Sequence, residues 1–239
     1  MTVTTAVPPR PILAVAHRGD PFHYRENTLA SVESALAAGA DAVEVDVQLT
    51  RDGVPVLLHD LTLERLWADP RPVGSVTAEQ LSALGSPGVR VPTLAEALKA
   101  VAETPAARLL IDLDTPGPVA ATWRAVTDLG AQARVAFCGS IAALLAVREL
   151  SAEAELALTW KQPRLPGPAL LADLRPRYVN PPFGLLDPAF TAGAHELGLA
   201  VSCWTVDRRR TMRKVADLGV DSITSNRIGL LRRTLDARG

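Results

Sequence analysis

The chain has little of what secreted, membrane-bound and nucleic-acid-binding proteins rely on. Of its 239 residues only two are cysteine, Cys138 and Cys203, each inside an apolar run ("VAFCG", "AVSCW"). Buried free thiols are expected in that setting, which argues against a disulfide scaffold and fits a reducing compartment. Aromatic residues make up only 4 %, so an exposed aromatic cluster for lipid contact is not expected. No stretch reaches the ~18 apolar residues of a membrane span. The opening "MTVTTAVPPRPILAVAH" lacks a basic segment followed by a long apolar core and a small-residue cleavage site. A cytoplasmic protein without stable membrane association is therefore expected. Charge of one sign is also missing as a block: 25 Lys and Arg are interspersed with 26 Asp and Glu. That balance offers no basic patch for nucleic acid or an anionic membrane. The short runs "DRRR" (207–210) and "RRTLDARG" read as polar helix faces, and nothing in the sequence fixes an oligomeric state.

What is present is a core and a rhythm. Apolar residues make up 48 % of the chain, enough for one well-filled core, and an α/β barrel of this length, 1–239, is expected to be a single domain. Nine short β-rich runs are expected as strands: 12–17, 41–47, 54–59, 108–114, 134–139, 154–160, 177–181, 199–204 and 221–224. Ala/Leu-rich helical runs lie between most of them, several with an Asp or Ser start and a Gly end. Such β–α alternation predicts a parallel sheet, and eight units close into a TIM-type (β/α)8 barrel. The ninth run has its own explanation. "DAVEVDVQLTRDGVPVLLHD" joins two runs through "TRDG", too short for a parallel crossover, so the pair should fold back as a hairpin and bring His59 opposite Asp46 or its neighbour. The Gly/Pro-rich stretch 61–92 reads as a small insertion over one end of the barrel.

Strand periodicity places the polar residues. In "VEVDV", Glu44 and Asp46 share one face while Val43, Val45 and Val47 take the other. Two carboxylates on the inner face of a buried strand require a cation, a shared proton or full hydrogen bonding, unless the strand end reaches water. "RLLIDLD" repeats the arrangement with Asp112 and Asp114. Oxygen ligands from two strands suit one hard divalent cation, Mg²⁺ or Ca²⁺, rather than zinc. His17 and His59, two of four histidines, each close an apolar run, as a general acid and a general base at one centre would. Arg18 offers a planar donor array suited to phosphate oxygens. Asn27 reads as the N-cap of the following helix, with Glu26 beside it. His23 and His195 have no comparable setting.

The stretch "AHRGD…RENTLASVESALAAGADAVEVDVQLTRDGVPVLLHDLTLERL" resembles the N-terminal signature of the glycerophosphodiester phosphodiesterases: an HRG motif, an ENT helix start, a GAD-x-(I/V)-E-x-DV strand, a T-x-DG turn and an HD strand end. "VPTLAEAL", "RYVNPP", "CWTVD" and "GVDSITSN" resemble later pieces of that family, the last two its WTVN and GVDGIITD elements, so the similarity runs through nearly the whole chain in order. The resemblance implies a TIM-type barrel that cleaves glycerophosphodiesters to glycerol 3-phosphate and an alcohol with a divalent metal. It implies His17 and His59 as the acid–base pair, Arg18 on the phosphate, Glu44 and Asp46 as metal ligands, Asp112 as the third ligand, and Trp204 as an apolar wall for the substrate. Three departures from the pattern bear on the charges of the site. Asp112 replaces the usual Glu, Asp114 stands where the family has Lys, and Asn226 replaces an Asp; Lys161, at another strand end in "LTWKQP", offers a compensating cation for the substrate. The nearest alternatives are a related barrel phospholipase, of the sphingomyelinase D or phosphatidylinositol-specific type, and a barrel that binds a phosphorylated ligand without turning it over.

Overall fold

A computed structural model describes residues 11–85 and 89–238. Most of the opening segment considered above for a signal, residues 86–88 of the 61–92 stretch, and the last residue lie outside the described residues. All nine expected strands are present. Eight are parallel and form the barrel: β1 (Leu13–His17), β2 (Ala42–Leu49), β4 (Arg108–Leu113), β5 (Val135–Gly139), β6 (Ala157–Thr159), β7 (Tyr178–Asn180), β8 (Ala200–Cys203) and β9 (Ser222–Ser225). Their order around the ring is β5-β4-β2-β1-β9-β8-β7-β6. The ring closes between β5 and β6 through one bridge, Phe137 to Leu156, where the Phe137 N–H donates to the Glu155 carbonyl at 2.9 Å. The ninth strand, β3 (Pro55–Leu57), runs antiparallel to β2, with Val47 opposite Leu57. The "TRDG" hairpin is therefore real. Its turn ends at Gly53, whose φ of 77° is the left-handed conformation that glycine adopts without strain.

Helices cover the outside: α1 (Leu29–Ala37), α4 (Leu94–Ala102), α5 (Val119–Asp128), α6 (Ile141–Leu150), α7 (Pro168–Leu174), α8 (Pro188–Glu196), α9 (Arg209–Asp217) and α10 (Ile228–Asp236). Threonine or serine hydroxyls cap α1, α4 and α6 (Thr28, Thr93, Ser140), and the Asp187 carboxylate caps α8. The strand alternation sorts the side chains into two layers. Val43, Val45, Val47, Leu109, Ile111 and Leu113 pack outward against the helices in the main core. Val15, Leu110, Ala136, Cys138, Ala157 and Tyr178 fill the barrel interior. The 61–92 stretch contributes two short helices, α2 (Glu64–Trp67) and α3 (Ala78–Ser82), and a small core of its own, in which Leu63, Val73, Val76, Leu81 and Val91 pack on Val56 and Leu58. It is an insertion tied to the hairpin, and it carries Arg65 to the edge of the barrel mouth. Both cysteines are free and buried. No helix among the described residues is long and apolar enough to cross a membrane.

Candidate active site

The polar residues singled out in the sequence meet at the carboxyl ends of the strands, the end where barrel sites are built. His17 ends β1, Glu44 and Asp46 lie on β2, Asp112 on β4, and Trp204 directly follows β8. With Arg18, His59, Asp114 and Lys161 they line one cavity of about 200 Å³. Register brings the acids together: Asp46 is directly paired with Asp112 across the β2–β4 ladder. One oxygen from each of Glu44, Asp46 and Asp112 falls within 4.8 Å of the others.

This trio is short of positive charge. Glu44 is held well above the ordinary carboxylate range, first by burial and then by the charges of Asp46 and Asp112. Asp112 is raised to about 7 by burial, Asp46 and Asp114. Its Oδ1 is buried without a hydrogen-bond partner. An orphaned carboxylate oxygen beside two more acids is an arrangement that could hold a hard cation. Arg18 compensates in part. Its backbone N–H donates to Glu44 Oε2 at 2.9 Å, and its Nε lies 3.1 Å from Asp46 Oδ2. Because that Nε is not aligned for a hydrogen bond, the pair is an electrostatic contact. Nη1 donates to Glu26 Oε1 at 2.9 Å.

The "HRG" turn explains how Arg18 is placed. Arg18 and Gly19 both have positive φ, 57° and 87°. A side chain at Gly19 would collide with Ser31, which instead accepts from the Asp20 N–H (2.7 Å) and donates to the Arg18 carbonyl (3.0 Å). At the other wall, a Cβ on Gly139 would lie 2.8 Å from Asp112 Oδ1. Gly139 thus keeps space for that carboxylate, a role the sequence reading did not assign.

The two imidazoles are oriented from behind. His59 Nδ1 lies 2.7 Å from Asp60 Oδ1, and Arg65 of the insertion grips Asp60 through Nε at 2.5 Å and Glu26 through Nη2 at 2.7 Å. His17 Nδ1 meets Asn226 Oδ1 at 2.7 Å, and its Nε2 is 3.9 Å from Glu44 Oε2. Burial, the largest influence on His17, lowers its pKa and keeps the ring neutral near pH 7. Arg65 is a residue of the site that the sequence reading missed; a charge on a short irregular helix carries no periodic signal. Asn27 corrects an expectation. The cap of α1 is Thr28, and Asn27, buried at φ 54°, donates from Nδ2 to Asp46 Oδ2 at 2.7 Å while its Oδ1 accepts the Asp46 N–H at 3.2 Å. Trp204 donates from its indole N–H to the Asn180 carbonyl at 3.0 Å, and the Lys161 ammonium sits 5.7 Å from its ring centre. His23 bonds Asp20 and His195 bonds Asp221; neither lines the cavity.

The profile of the glycerophosphoryl diester phosphodiesterase family matches residues 17–230. The chain belongs to that family. With membership comes the class of phosphoric diester hydrolase. Among the curated relatives of this family member, the glycerophosphodiester phosphodiesterase of Caldanaerobacter subterraneus is 29 % identical over 236 residues, covering 90 % of this chain and 93 % of the relative. Solved structures share the fold. A phosphodiesterase from Oleispira antarctica, in complex with the product sn-glycerol-3-phosphate, superposes with a TM-score of 0.86 at 21 % identity over 94 % of this chain and 96 % of that one. A glycerophosphodiester phosphodiesterase from Parabacteroides distasonis gives 0.82 at 24 % over 96 % and 99 %.

Proposed function

We propose that this phosphodiesterase hydrolyses glycerophosphodiesters to glycerol 3-phosphate and an alcohol, with His17 and His59 as the acid–base pair. Glu44, Asp46 and Asp112 hold one divalent cation, Mg²⁺ or Ca²⁺, while Arg18 binds phosphate. Trp204 and Lys161 contact the substrate at the rim. The observation that carries this reading is the charge-deficient acidic trio in the same cavity as the two imidazoles. The sn-glycerol-3-phosphate found in the Oleispira structure supports the substrate class.

A phosphodiester is an anion that repels an incoming nucleophile. Glu44, Asp46 and Asp112 would hold the cation, which would supply Lewis-acid neutralisation of that charge. Arg18 adds a fixed guanidinium beside it. One imidazole takes the proton of the attacking oxygen, and the other returns a proton to the departing alkoxide; each transfer is worth ~10²–10⁴-fold. The backing of each Nδ1, by Asn226 and Asp60, leaves both Nε2 atoms free for this work. The same reading takes the chain as one barrel domain of a cytoplasmic enzyme acting on a small soluble diester.

The test is a coupled glycerol 3-phosphate assay over a panel of glycerophosphodiesters, with EDTA and with metal restored. His17→Ala and His59→Ala are expected to lose turnover by about 10²-fold or more while keeping the far-UV spectrum and melting behaviour of the parent. Near-parental turnover in either folded variant removes that histidine from the reaction. Full activity in EDTA removes the cation.

A further inference from the structure

Behind His17 the hydrogen bonding continues beyond Asn226 to groups that the proposed acid–base roles leave unexplained. Asn226 follows β9, and its amide lies between two groups: Oδ1 is 2.7 Å from His17 Nδ1, and Nδ2 donates to Asp207 Oδ2 at 2.8 Å. Asp207 lies in the loop after β8. Its other oxygen, Oδ1, accepts the Asn226 backbone N–H at 2.8 Å and the Ser225 hydroxyl at 3.1 Å. Ser225 is fully buried, so the anchor is not a surface contact.

The chemistry of these groups allows one arrangement of protons. A carboxylate only accepts, so the amide nitrogen of Asn226 must face Asp207. Its carbonyl oxygen must then face His17, and an amide oxygen also only accepts. His17 therefore carries its proton on Nδ1, and the lone pair is on Nε2, the atom nearer Glu44 and the cavity. We infer that Asp207 and Asn226 are positioning residues that together fix the tautomer and orientation of His17, with Asp207 setting the direction of the amide and Asn226 transmitting it. The inference rests on the proposed role of His17 for its catalytic consequence, but the tautomer stands independently of that role.

The composition of the pair makes the inference testable by exchange. The motifs matched in the sequence have Asn in WTVN and Asp in the ending that aligns with Asn226; this chain has Asp207 in "WTVD" and Asn226. The two types are traded between positions, which keeps one acceptor-only group and one amide between the loops. In Asp207→Asn the amide of Asn226 has no carboxylate to orient it and is free to turn its nitrogen toward His17. In the double exchange Asp207→Asn/Asn226→Asp, the new carboxylate accepts directly from Nδ1–H, and the new amide donates to it.

The experiment is a long-range ¹H–¹⁵N correlation spectrum of the full-length protein at pH 8, with and without Mg²⁺, which separates the two imidazole tautomers, combined with turnover. Expected is the Nδ1–H form of His17 in the parent, its loss or mixing with the Nε2–H form in Asp207→Asn, and its return in the double exchange. Turnover should fall by about 10²-fold or more in Asp207→Asn, because a base in the wrong tautomer cannot accept the proton, and should recover to within a few-fold in the double exchange. A parent His17 in the Nε2–H form, or an Asp207→Asn variant that folds and keeps a pure Nδ1–H form, overturns the inference. Tautomers that follow the expected pattern while turnover stays parental uphold the positioning chain and refute the proposed role of His17 alone.

Discussion

Gly139 shows how one missing side chain can shape a charge cluster. Its φ is 123°, and an added Cβ would press on the Leu113 backbone and approach Asp112 Oδ1 to 2.8 Å. Gly139→Ala is expected to cost about 1–3 kcal/mol of stability and to weaken Mg²⁺ binding, because Asp112, the proposed third ligand, must move. Urea unfolding and calorimetric Mg²⁺ titration check both effects; unchanged Mg²⁺ affinity would show that Asp112 does not depend on this space. Cys203 makes a contrasting case. It is fully buried, and burial pushes its thiol up to about 12, so thiolate is scarce at neutral pH. Ellman's reagent is expected to label neither cysteine in the native protein and both after denaturation, and rapid labelling of Cys203 under native conditions would contradict the packing. Single residues were also where the sequence was hardest to interpret. Asn27 stands one position before Thr28, and both are good capping types, yet it is contact with Asp46 on the adjoining strand that distinguishes them. Such a contact leaves no local trace.

Elements were far more legible, because periodicity is a collective property of several residues. All nine strands fell where alternation and β-branched content placed them, and the short "TRDG" link correctly separated β3 from the parallel set. Among the helices that cover the barrel, the sequence did not announce α7, seven residues between the proline-rich "KQPRLPG" and "RPRYVNP", too short to show a 3.6-residue period. Where caps are strong, their energetics can be tested. Helix α4 begins with a capping box: Thr93 Oγ1 accepts the Glu96 N–H and Glu96 Oε2 accepts the Thr93 N–H at 2.9 Å. Arg90 also grips the Glu96 carboxylate, and together these hold its pKa at about 2, with the hydrogen bond from Arg90 the largest cause. A depressed folded pKa stabilises the fold above the ordinary value of about 4.5, and that contribution disappears as pH falls toward 2. Because the carboxylate is partly exposed, the effect is modest. Glu96→Gln is expected to lose about 0.5–1 kcal/mol at pH 7, with the difference from the parent closing near pH 2.5. Thermal melts at both values read it, and a deficit as large at pH 2.5 as at pH 7 would exclude the charge as its origin.

For the whole molecule, the barrel concentrates three acids from two strands at one mouth and leaves their repulsion for something else to relieve. Sequence alternation disclosed the acids on each strand; the β2–β4 register that pairs Asp46 with Asp112 belongs to the closed sheet and could only be guessed. The assembly has a consequence for stability that no single element has. In the metal-free protein Asp112 is raised from about 3.8 to about 7, so between those values the folded state holds a proton the unfolded chain has released. Stability then falls as pH rises through that window and levels off above it. A cation bound by the trio acts in the opposite direction, since it favours the ionised carboxylates and binds only where they are assembled. At a hundred times its dissociation constant it adds ~2.7 kcal/mol. The melting temperature gained on adding Mg²⁺ to EDTA-treated protein should therefore be larger at pH 8 than at pH 5.5, where protons compete for the same oxygens. Asp112→Asn should reduce the gain at pH 8 and weaken its pH dependence, leaving the part that the raised Glu44 carboxyl contributes. A gain equal at both pH values in the parent would mean that Mg²⁺ binds elsewhere, and the acidic trio would then need another source of positive charge.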